Sequence, residues 1–463
     1  MKLHTLQASS NMYPIVGKTV LILGLGGYEK GSGVSAALFC IRKGAAKVIV
    51  TDLKKAEQIP ATVLQLKKYK QVEFVLGKHR LSDVRRADLI IKNPSIPENI
   101  PAVQLAKKLQ KPITNDIGLF LAYKPVGPVI GITGTRGKST TTTLTYQFIK
   151  KQFPRTFLGG NIGCSPLQFI DEMKKGDRVV LELSSWMLHD MHAPQLDIAV
   201  ITNILPDHMN RYSSMNEYQK DKERIFAFQQ PKQFILLNTE NPKTKKMGKR
   251  VHSKLVWFGK GAGKKGIQVV NENIIFNGEK VAQLSDIQLL GKHNIQNVLA
   301  AVCVAKLSGV SNKHIQTVLR QFHGIPNRLE HIRTWNGIQF YNDTTATTPD
   351  AGIAALNAFP KKVILIAGGN TKGLELTQFA NLMKKKVKHL ILLTGNANEP
   401  FIKAVPDKIR GEIEFGAMNA AVALAVCYAK KGDIILLSPG CSWLPQVNEF
   451  ERGRRFASAV KSL

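Results

Sequence analysis

The sequence has few cysteines, and their spacing excludes two classes of site. The 463 residues include five cysteines, and no two of them form a Cys-x-x-Cys pair. A disulfide framework or a zinc site built from paired cysteines is therefore not expected. We interpret the thiols as reduced packing residues, which favours the cytoplasm.

Long apolar runs are also missing. No segment reaches the ~20 consecutive apolar residues of a membrane-spanning helix, and residues 1–7 lack the apolar stretch of a signal peptide. We expect a cytoplasmic protein without a membrane span. Its length predicts about three domains.

Acidic residues are scarce relative to basic ones. The chain has 65 Lys and Arg against 33 Asp and Glu, a formal net charge of +32. Three interpretations stay open: a nucleic-acid-binding face, steering of an acidic substrate, or a lysine-rich composition spread over solvated surface. The basic residues run along the whole chain without a basic arm or interleaved aromatics, so we expect no nucleic-acid partner.

The most informative segment is residues 131–140, with the sequence GITGTRGKST. An apolar run at 128–133 predicts a strand before it, and the pattern at 139–151 predicts a helix after it. Gly134 and Gly137 would let the backbone turn its N–H groups toward an anion. This arrangement is typical of a phosphate-binding loop.

The side chains at the predicted helix start support that interpretation. Lys138 can reach terminal phosphates, and the Ser139 hydroxyl can ligate Mg²⁺. The spacing G-x-x-G-K-S-T is tighter than the common G-x-x-x-x-G-K-[ST], so a glycine turn that binds nothing is the alternative. We predict a site for ATP or GTP.

Polar residues end the next two predicted strands. Apolar runs at 179–183 and 198–203 alternate with helix patterns, which predicts a parallel, doubly wound sheet. Glu182 lies at one strand end, where it could ligate Mg²⁺ or cap a helix; His208 follows the other strand as a candidate second metal ligand or a satisfied polar residue. Lys222 has the pattern of an ordinary exposed helix lysine.

Both ends of the chain carry α/β patterns. A β-α-β unit begins the sequence, with Gly24 and Gly26 at its first turn and Asp52 after its second strand. Its glycine spacing departs from the dinucleotide fingerprint, so NAD is weakly indicated, and another nucleotide whose ribose or base contacts Asp52 fits equally well. Strands at 363–367, 390–393 and 434–437 predict a further α/β domain.

Eight short motifs follow one another along nearly the whole chain. They are TGTRGKST at 133–140, GNIG at 160–163, LELSS at 181–185, DHMNRY at 207–212, GKHN at 291–294, PNR at 326–328, YND at 341–343 and LSP at 437–439. In this order they resemble the Mur ligase family, in particular its members that add glutamate to UDP-N-acetylmuramoyl-L-alanine. The joint order is highly specific, whereas each motif alone is weak.

The resemblance implies an α/β protein of three domains, each built on a mostly parallel sheet. Residues 1–116 would form a Rossmann-like UDP-substrate domain, 117–324 a P-loop-type central ATP-binding domain, and 325–463 a Rossmann-like glutamate ligase domain. ATP and two Mg²⁺ ions would be the cofactors. We expect a monomer.

The resemblance also assigns residues. ATP contacts would be Gly134, Thr135, Gly137, Lys138, Ser139, Thr140, Asn294, Asn297, Arg328 and Asp343. UDP-substrate contacts would be Gly26, Gly31, Ser32, Asp52, Asn161 and His208. Glutamate contacts would be Thr347, Lys372, Trp443 and Phe450. Metal ligands would be Ser139, Glu182, His208 and Lys222, and catalytic residues Lys138, His208, Lys222 and Arg328.

The resemblance changes the interpretation of Lys222. It aligns with the family lysine that reacts with CO₂ to give a carbamate, an anionic ligand for the second Mg²⁺. The implied reaction is ATP-driven amide formation through an acyl phosphate, in cytoplasmic synthesis of peptidoglycan precursors.

Two departures from the family pattern bear on the amino acid that is added. Thr345 stands where a lysine is usual, and the loop at 440–445 differs from the family's loop around the incoming amino acid. Both departures resemble relatives that add L-glutamate to the same acceptor. The motifs as a whole are more similar to the D-glutamate-adding members, so we predict D-glutamate and keep L-glutamate as the alternative. An NAD-dependent oxidoreductase, based on Gly24 and Gly26, and a nucleic-acid-stimulated NTPase, based on charge, are remoter alternatives.

Overall fold

The computed structural model describes residues 12–124, 126–207, 212–289, 291, 293–371, 374–406, 410–413, 417–442 and 449–463. This part of the chain contains three sheets flanked by helices and divides into two compact units. One unit runs to Leu284 and includes Gln296–Val318; the other comprises Ser285–Ile295 and Leu319–Leu463.

The first unit opens with a five-stranded sheet. Its strands are β1 Thr19–Leu23, β2 Lys47–Asp52, β3 Val72–Leu76, β4 Leu89–Lys92 and β5 Ile113–Thr114. Its helices are α1 Ser32–Arg42, α2 Pro60–Lys67, α3 Leu81–Arg86, α4 Pro101–Lys108 and α5 Asp116–Tyr123, with a 3₁₀ turn at Ala56–Gln58. The strand order is β3-β2-β1-β4-β5, all parallel. The winding reverses at β1, so residues 24–31 lie at the switch point where such sheets bind ligands.

The same unit contains a nine-stranded sheet. Its strands are β6 Val129–Thr133, β7 Thr156–Gly160, β8 Arg178–Glu182, β9 Ile198–Ile201, β10 Phe234–Asn238, β11 Lys254–Phe258, β12 Ile267–Val270, β13 Asn273–Phe276 and β14 Glu279–Gln283. The helices that follow its strands are α6 Lys138–Gln152, α7 Ser185–His189, α8 Met215–Ala227 and α9 Pro242–Met247, with 3₁₀ turns at Pro166–Gln168, Ile170–Glu172, Gly248–Arg250 and Leu284–Asp286. Next along the chain come α10 His293–Leu307 and α11 Asn312–Gln321.

The nine strands lie in the order β14-β13-β12-β11-β10-β9-β6-β8-β7. All neighbours from β12 to β7 pair in parallel, whereas β12, β13 and β14 form antiparallel hairpins. Because β6 lies between β8 and β9, the carboxyl ends of these three strands meet at one edge. The polar residues after each strand are therefore brought together.

The second unit is built on a six-stranded sheet. Its strands are β15 Glu330–Trp335, β16 Ile338–Asn342, β17 Val363–Gly368, β18 Val387–Leu393, β19 Arg410–Ile413 and β20 Ile434–Leu437, in the order β15-β16-β20-β17-β18-β19. Only the pair β15–β16 is antiparallel. Its helices are α12 Pro349–Asn357, α13 Thr377–Lys386, α14 Asn398–Ala404, α15 Met418–Cys427 and α16 Glu449–Lys461.

The cores explain why these segments are strands. Every residue of β6, β9, β17 and β20 is buried, as expected of parallel strands covered on both faces. Separate apolar clusters cover the two faces of the six-stranded sheet. The predicted fold class is confirmed; the boundaries at 116 and 324 stay a prediction. Within the described residues, no helix combines the length and apolar character needed to cross a membrane.

Candidate active site

The loop between β6 and α6 requires glycine at two positions. Gly134 has a φ of +145° and Gly137 a φ of +81°, in the region that side chains other than glycine rarely adopt. A Cβ on Gly134 would lie 1.9 Å from Thr202 Oγ1, and one on Gly137 would lie 2.1 Å from Asn297 Oδ1. Both the backbone conformation and the available space exclude larger residues.

The loop is held by residues that follow β9. The Thr135 N–H donates to the Asn203 backbone oxygen at 2.9 Å, and the Arg136 N–H donates to Asn203 Oδ1 at 2.9 Å. Thr202 Oγ1 donates to the Arg136 backbone oxygen at 2.6 Å. These bonds fix the conformation of the loop from within the protein.

The first turn of α6 faces this loop. Lys138 begins the helix, and its Nζ donates to the Thr135 backbone oxygen at 3.0 Å. Ser139 is buried and Thr140 is half-buried. A 15-residue helix directs its N–H groups and the positive end of its dipole at the loop. Together with the lysine, this end of the helix can bind phosphate oxygens.

Glu182 lies at the end of β8, paired with Ile132 of β6. Its side chain is buried, and Asn161 Nδ2 donates to Oε1 at 2.8 Å. Among the described residues, Oε2 has no hydrogen-bond partner. A buried carboxylate oxygen without a partner is costly unless a cation binds it, and oxygen is the ligand that Mg²⁺ prefers. The site therefore fits a magnesium ion.

Lys222 is a buried residue, so its interpretation as an exposed helix lysine is wrong. It is 2% exposed, because α8 is amphipathic and places Tyr218 and Lys222 on its inner face. Its Nζ donates to the Gly134 backbone oxygen at 2.9 Å and lies 3.4 Å from Thr133 Oγ1. Burial, reinforced by the positive charge of Lys138, holds the pKa of Lys222 well below its usual value.

The turn after β1 brings together the predicted UDP-binding residues of the first sheet. The Gly26 N–H donates to Asp52 Oδ2 at 2.8 Å, and Asp52 Oδ1 accepts from the Lys54 N–H at 2.9 Å. Gly31 precedes α1, and Ser32 is its first residue. The Asp52 carboxylate thus fixes the glycine turn from the end of the neighbouring strand.

The predicted residues of the second unit occupy mixed environments. Asp343 is buried after β16 and accepts from Ser438 Oγ at 2.9 Å and from the Leu329 N–H at 3.2 Å. Burial raises the pKa of Asp343 to about 7. Arg328 is exposed, and its backbone N–H donates to the Ile325 oxygen at 3.1 Å.

The structure describes some of the predicted glutamate contacts of the second unit. Thr347 is half-buried, and its N–H donates to the Thr345 oxygen at 2.9 Å. Thr345 Oγ1 donates to the Asn327 oxygen at 2.9 Å, a local bond that does not replace a lysine charge. Phe450 is exposed on α16, and Asn294 is buried near the start of α10. The predicted residues His208, Lys372 and Trp443 lie outside the described residues.

Curated relatives match the chain over nearly its full length. A protein of Roseiflexus sp. (strain RS-1), named UDP-N-acetylmuramoylalanine–D-glutamate ligase, is 35% identical over 97% of this chain and 99% of its own. A relative of the same name from Acidobacterium capsulatum is 36% identical over 96% of both chains. The chain belongs to the Mur ligase family.

Family models and solved structures agree with this membership. The Mur ligase MurD-like N-terminal domain matches residues 18–115, the Mur ligase middle domain 132–305, and the glutamate ligase domain 327–441. The fold is similar to that of UDP-N-acetylmuramate-alanine ligase from Thermotoga maritima, with a TM-score of 0.59 and 18% identity over 96% of this chain and 99% of that one. MurF from Acinetobacter baumannii gives a TM-score of 0.60 at 15% identity, covering 96% and 93%.

Sequence reasoning missed several residues around the loop at 134–137 of this Mur ligase. Thr202 and Asn203 hold the loop, and Tyr218 lies with its ring 4.8 Å from Lys222 Nζ and its hydroxyl 3.1 Å from Thr135 Oγ1. The polar pair Thr202-Asn203, directly after the apolar residues of β9, was a usable signal for residues that contact the loop. The spacing of Tyr218 and Lys222, four residues apart on one helix face, was another.

Proposed function

We propose that the protein is an ATP-dependent ligase that joins D-glutamate to UDP-N-acetylmuramoyl-L-alanine, in the cytoplasmic synthesis of peptidoglycan precursors. The observation that carries this proposal is the glycine loop at 134–137, where the helix-start Lys138 donates to the Thr135 oxygen and the buried Lys222 donates to the Gly134 oxygen. The names of the full-length relatives support the substrates. The alternative, L-glutamate addition, has only the departures at Thr345 and 440–445 in its favour.

ATP would bind with its phosphates at residues 134–140. Lys138 and the N–H groups of the loop would contact the terminal phosphates, which places positive charge where negative charge develops. We assign Asn294 and Asn297 to the adenine side, and Arg328 and Asp343 to the phosphates and ribose. These four assignments rest on their positions in the family motifs.

The reaction would proceed in two displacements. An oxygen of the terminal carboxylate of the acceptor attacks the γ-phosphorus of ATP, the bond to the bridging oxygen breaks, and ADP leaves with that electron pair. The glutamate amine then attacks the carbonyl carbon of the acyl phosphate, loses a proton, and inorganic phosphate leaves. Catalysis is then mainly positioning and electrostatic stabilisation.

Two magnesium ions would assist these steps. Ser139 and Glu182 would hold the first ion, and His208 and Lys222 the second. Bound Mg²⁺ supplies positive charge that offsets the charge on the transferring phosphoryl group. Glu182 Oε2, which no described residue partners, is the observation that supports a cation at this position.

Lys222 would act as a carbamate. A buried lysine with a lowered pKa has a larger fraction of neutral amine, and the neutral amine is the form that attacks CO₂. The nitrogen–carbon bond forms, one C=O electron pair moves to oxygen, and the nitrogen loses a proton. The product is an anionic oxygen ligand where an ammonium group would repel a metal ion.

The acceptor and glutamate would contact different domains. We propose that the UDP end contacts Gly26, Gly31, Ser32 and Asp52 within domain 1–116, and that Asn161 and His208 contact the rest of the acceptor from domain 117–324. Glutamate would contact residues of domain 325–463, namely Thr347, Lys372, Trp443 and Phe450. We propose a monomer that has no nucleic-acid partner.

A phosphate-release assay tests the proposal. The protein is mixed with ATP, Mg²⁺, UDP-N-acetylmuramoyl-L-alanine and each glutamate enantiomer in turn. We expect phosphate release and amide product with D-glutamate, and release only when both substrates are present. Product with L-glutamate alone would select the alternative, and no product with either enantiomer would refute the ligase assignment.

A further inference from the structure

A buried carboxylate joins two loops that the proposed mechanism assigns to opposite ends of one substrate. Asp116 begins α5 and is 1% exposed. Its Oδ1 accepts from Ser32 Oγ and its Oδ2 from Ser165 Oγ, both at 2.6 Å. Each carboxylate oxygen is therefore used by a hydroxyl from a different loop.

Ser32 lies on the UDP side of this link. It is the first residue of α1, directly after Gly31, in the turn assigned to the diphosphate. Because its hydroxyl proton points to Asp116, the hydroxyl cannot also donate that proton to a phosphate. The backbone N–H groups of the first helical turn stay available for an anion.

Ser165 lies on the other side, in the loop after β7. Its N–H donates to the Lys30 backbone oxygen at 3.0 Å, so the two loops are also in direct contact. Within the same loop, the Gly160 N–H donates to the Cys164 oxygen at 3.0 Å. The segment 160–165 is thus one closed turn whose far end is fixed at Asp116.

This turn also holds the candidate magnesium ligand. The Asn161 N–H donates to the Glu182 backbone oxygen at 2.9 Å, and its side chain donates to Glu182 Oε1 at 2.8 Å. A series of hydrogen bonds therefore links the turn at Ser32, through Asp116 and segment 160–165, to Glu182. Burial raises the pKa of Asp116, and the hydrogen bonds from Ser165 and Ser32 act in the opposite direction.

We infer that Asp116 is a positioning residue that sets the separation between the nucleotide end of the acceptor and its reacting carboxylate end. The inference rests on the proposed function. Of the proposed ligands, only the whole acceptor contacts both loops, because UDP alone would reach the first turn and ADP, bound at 134–140, would reach neither. Loss of the link should therefore weaken use of the acceptor selectively.

The experiment compares three ligands on Asp116→Asn and Ser165→Ala. Affinities for UDP and for ADP are measured by calorimetry, and kcat/KM for UDP-N-acetylmuramoyl-L-alanine by phosphate release. We expect both affinities to stay within about threefold of the wild type, while kcat/KM for the acceptor falls by about 100-fold, the effect of a misplacement of about 1 Å. Ser165→Ala removes one hydroxyl only, so it provides the test if Asp116→Asn does not fold.

Asp83→Asn is the matched control. The Asp83 carboxylate is equally buried and lies in α3, a helix beside the five-stranded sheet. It pairs with Arg80 and Arg86 instead of joining two loops. We expect no selective effect on the acceptor. An unchanged kcat/KM in the Asp116 and Ser165 variants, or equal losses for UDP and acceptor, would overturn the inference. Absence of product with the wild-type protein would instead refute the proposed function.

Discussion

Two turns of this protein share a local geometry and differ in what surrounds them. Residues 24–31 connect β1 to α1, and residues 134–137 connect β6 to α6. Each follows a buried parallel strand, contains glycines with positive φ, and precedes a helix. By backbone alone, either turn could bind an anion.

The side chains around the two turns separate them. In the first, the carboxylates of Asp52 and Asp116 accept from the Gly26 N–H and the Ser32 hydroxyl. In the second, the helix begins with Lys138, and α8 provides Lys222. A neighbouring strand provides Glu182, whose Oε2 has no hydrogen-bond partner in the described part of the chain. Residues on neighbouring strands and helices, more than the glycines, therefore distinguish the two turns.

The largest loss of activity should come from substitution of Lys222. The first turn, residues 24–31, has no counterpart to this buried lysine. Lys222→Ala removes the proposed carbamate, and we expect amide formation to fall by on the order of 1,000-fold. Phosphate release measures the rate, and circular dichroism checks the fold. Lys220→Ala, an exposed lysine of the same helix, should keep wild-type activity. A fully active Lys222→Ala would contradict the role.

The next effect should come from Glu182, the candidate metal ligand on the strand beside the second turn. Glu182→Gln keeps an oxygen for the Asn161 bond but loses the negative charge that binds Mg²⁺. We expect kcat to fall by about 100-fold and the Mg²⁺ concentration for half-maximal rate to rise. Exposed Glu172→Gln is the control. An unchanged Mg²⁺ requirement would show that Glu182 does not ligate the ion.

The glycine at the start of α6 allows a sharper test, because the chain offers a matched position. Gly137 and Gly176 both have positive φ, but a Cβ on Gly137 meets Asn297 whereas one on Gly176 meets nothing within 4 Å. Gly176→Ala should cost about 1–2 kcal/mol from backbone strain alone. Gly137→Ala should destabilise more and weaken ATP binding. Equal shifts in the two unfolding curves would mean that the loop yields to the extra methyl group.

The smallest effect should arise in the first turn. Asp52→Ala removes the acceptor of the N–H groups of half-buried Gly26 and exposed Lys54, a loss of about 0.5–1.5 kcal/mol for each hydrogen bond. We expect KM for the acceptor to rise by about tenfold, with ATP affinity unchanged. Asp88→Ala removes an acceptor of the Thr19 N–H at the other end of β1 and should leave KM unaltered. A change in ATP affinity with Asp52→Ala would contradict the expectation that the two turns bind different ligands.

The parallel parts of the fold were predictable because their strands are continuous apolar runs between turn signals. The runs at 363–367 and 434–437 correspond to β17 and β20 within one residue. The antiparallel strands β13, β14, β15 and β16 were not predicted. Their turns carry Asn-Gly pairs, at Asn277-Gly278 and at Asn336-Gly337, with positive φ at both residues, a strong hairpin signal that was overlooked.

The candidate site was partly predictable, for a related reason. Residues at strand ends, such as Glu182, could be located from the strand pattern because parallel strands end at one edge. The burial of Lys222 and the link through Asp116 depend on packing between distant segments. Asp116 joins residues 84 and 49 positions away along the chain, and no local pattern in the sequence reports such contacts.

The central claim is that ATP bound at the turn 134–137 phosphorylates the acceptor carboxylate. Isotope transfer from the carboxylate to phosphate tests this step most directly. UDP-N-acetylmuramoyl-L-alanine labelled with ¹⁸O in its terminal carboxylate is incubated with ATP, Mg²⁺ and D-glutamate, and the released phosphate is analysed by mass spectrometry. An acyl phosphate predicts one ¹⁸O atom in each phosphate and none gained by ADP. Unlabelled phosphate alongside amide product would contradict the account.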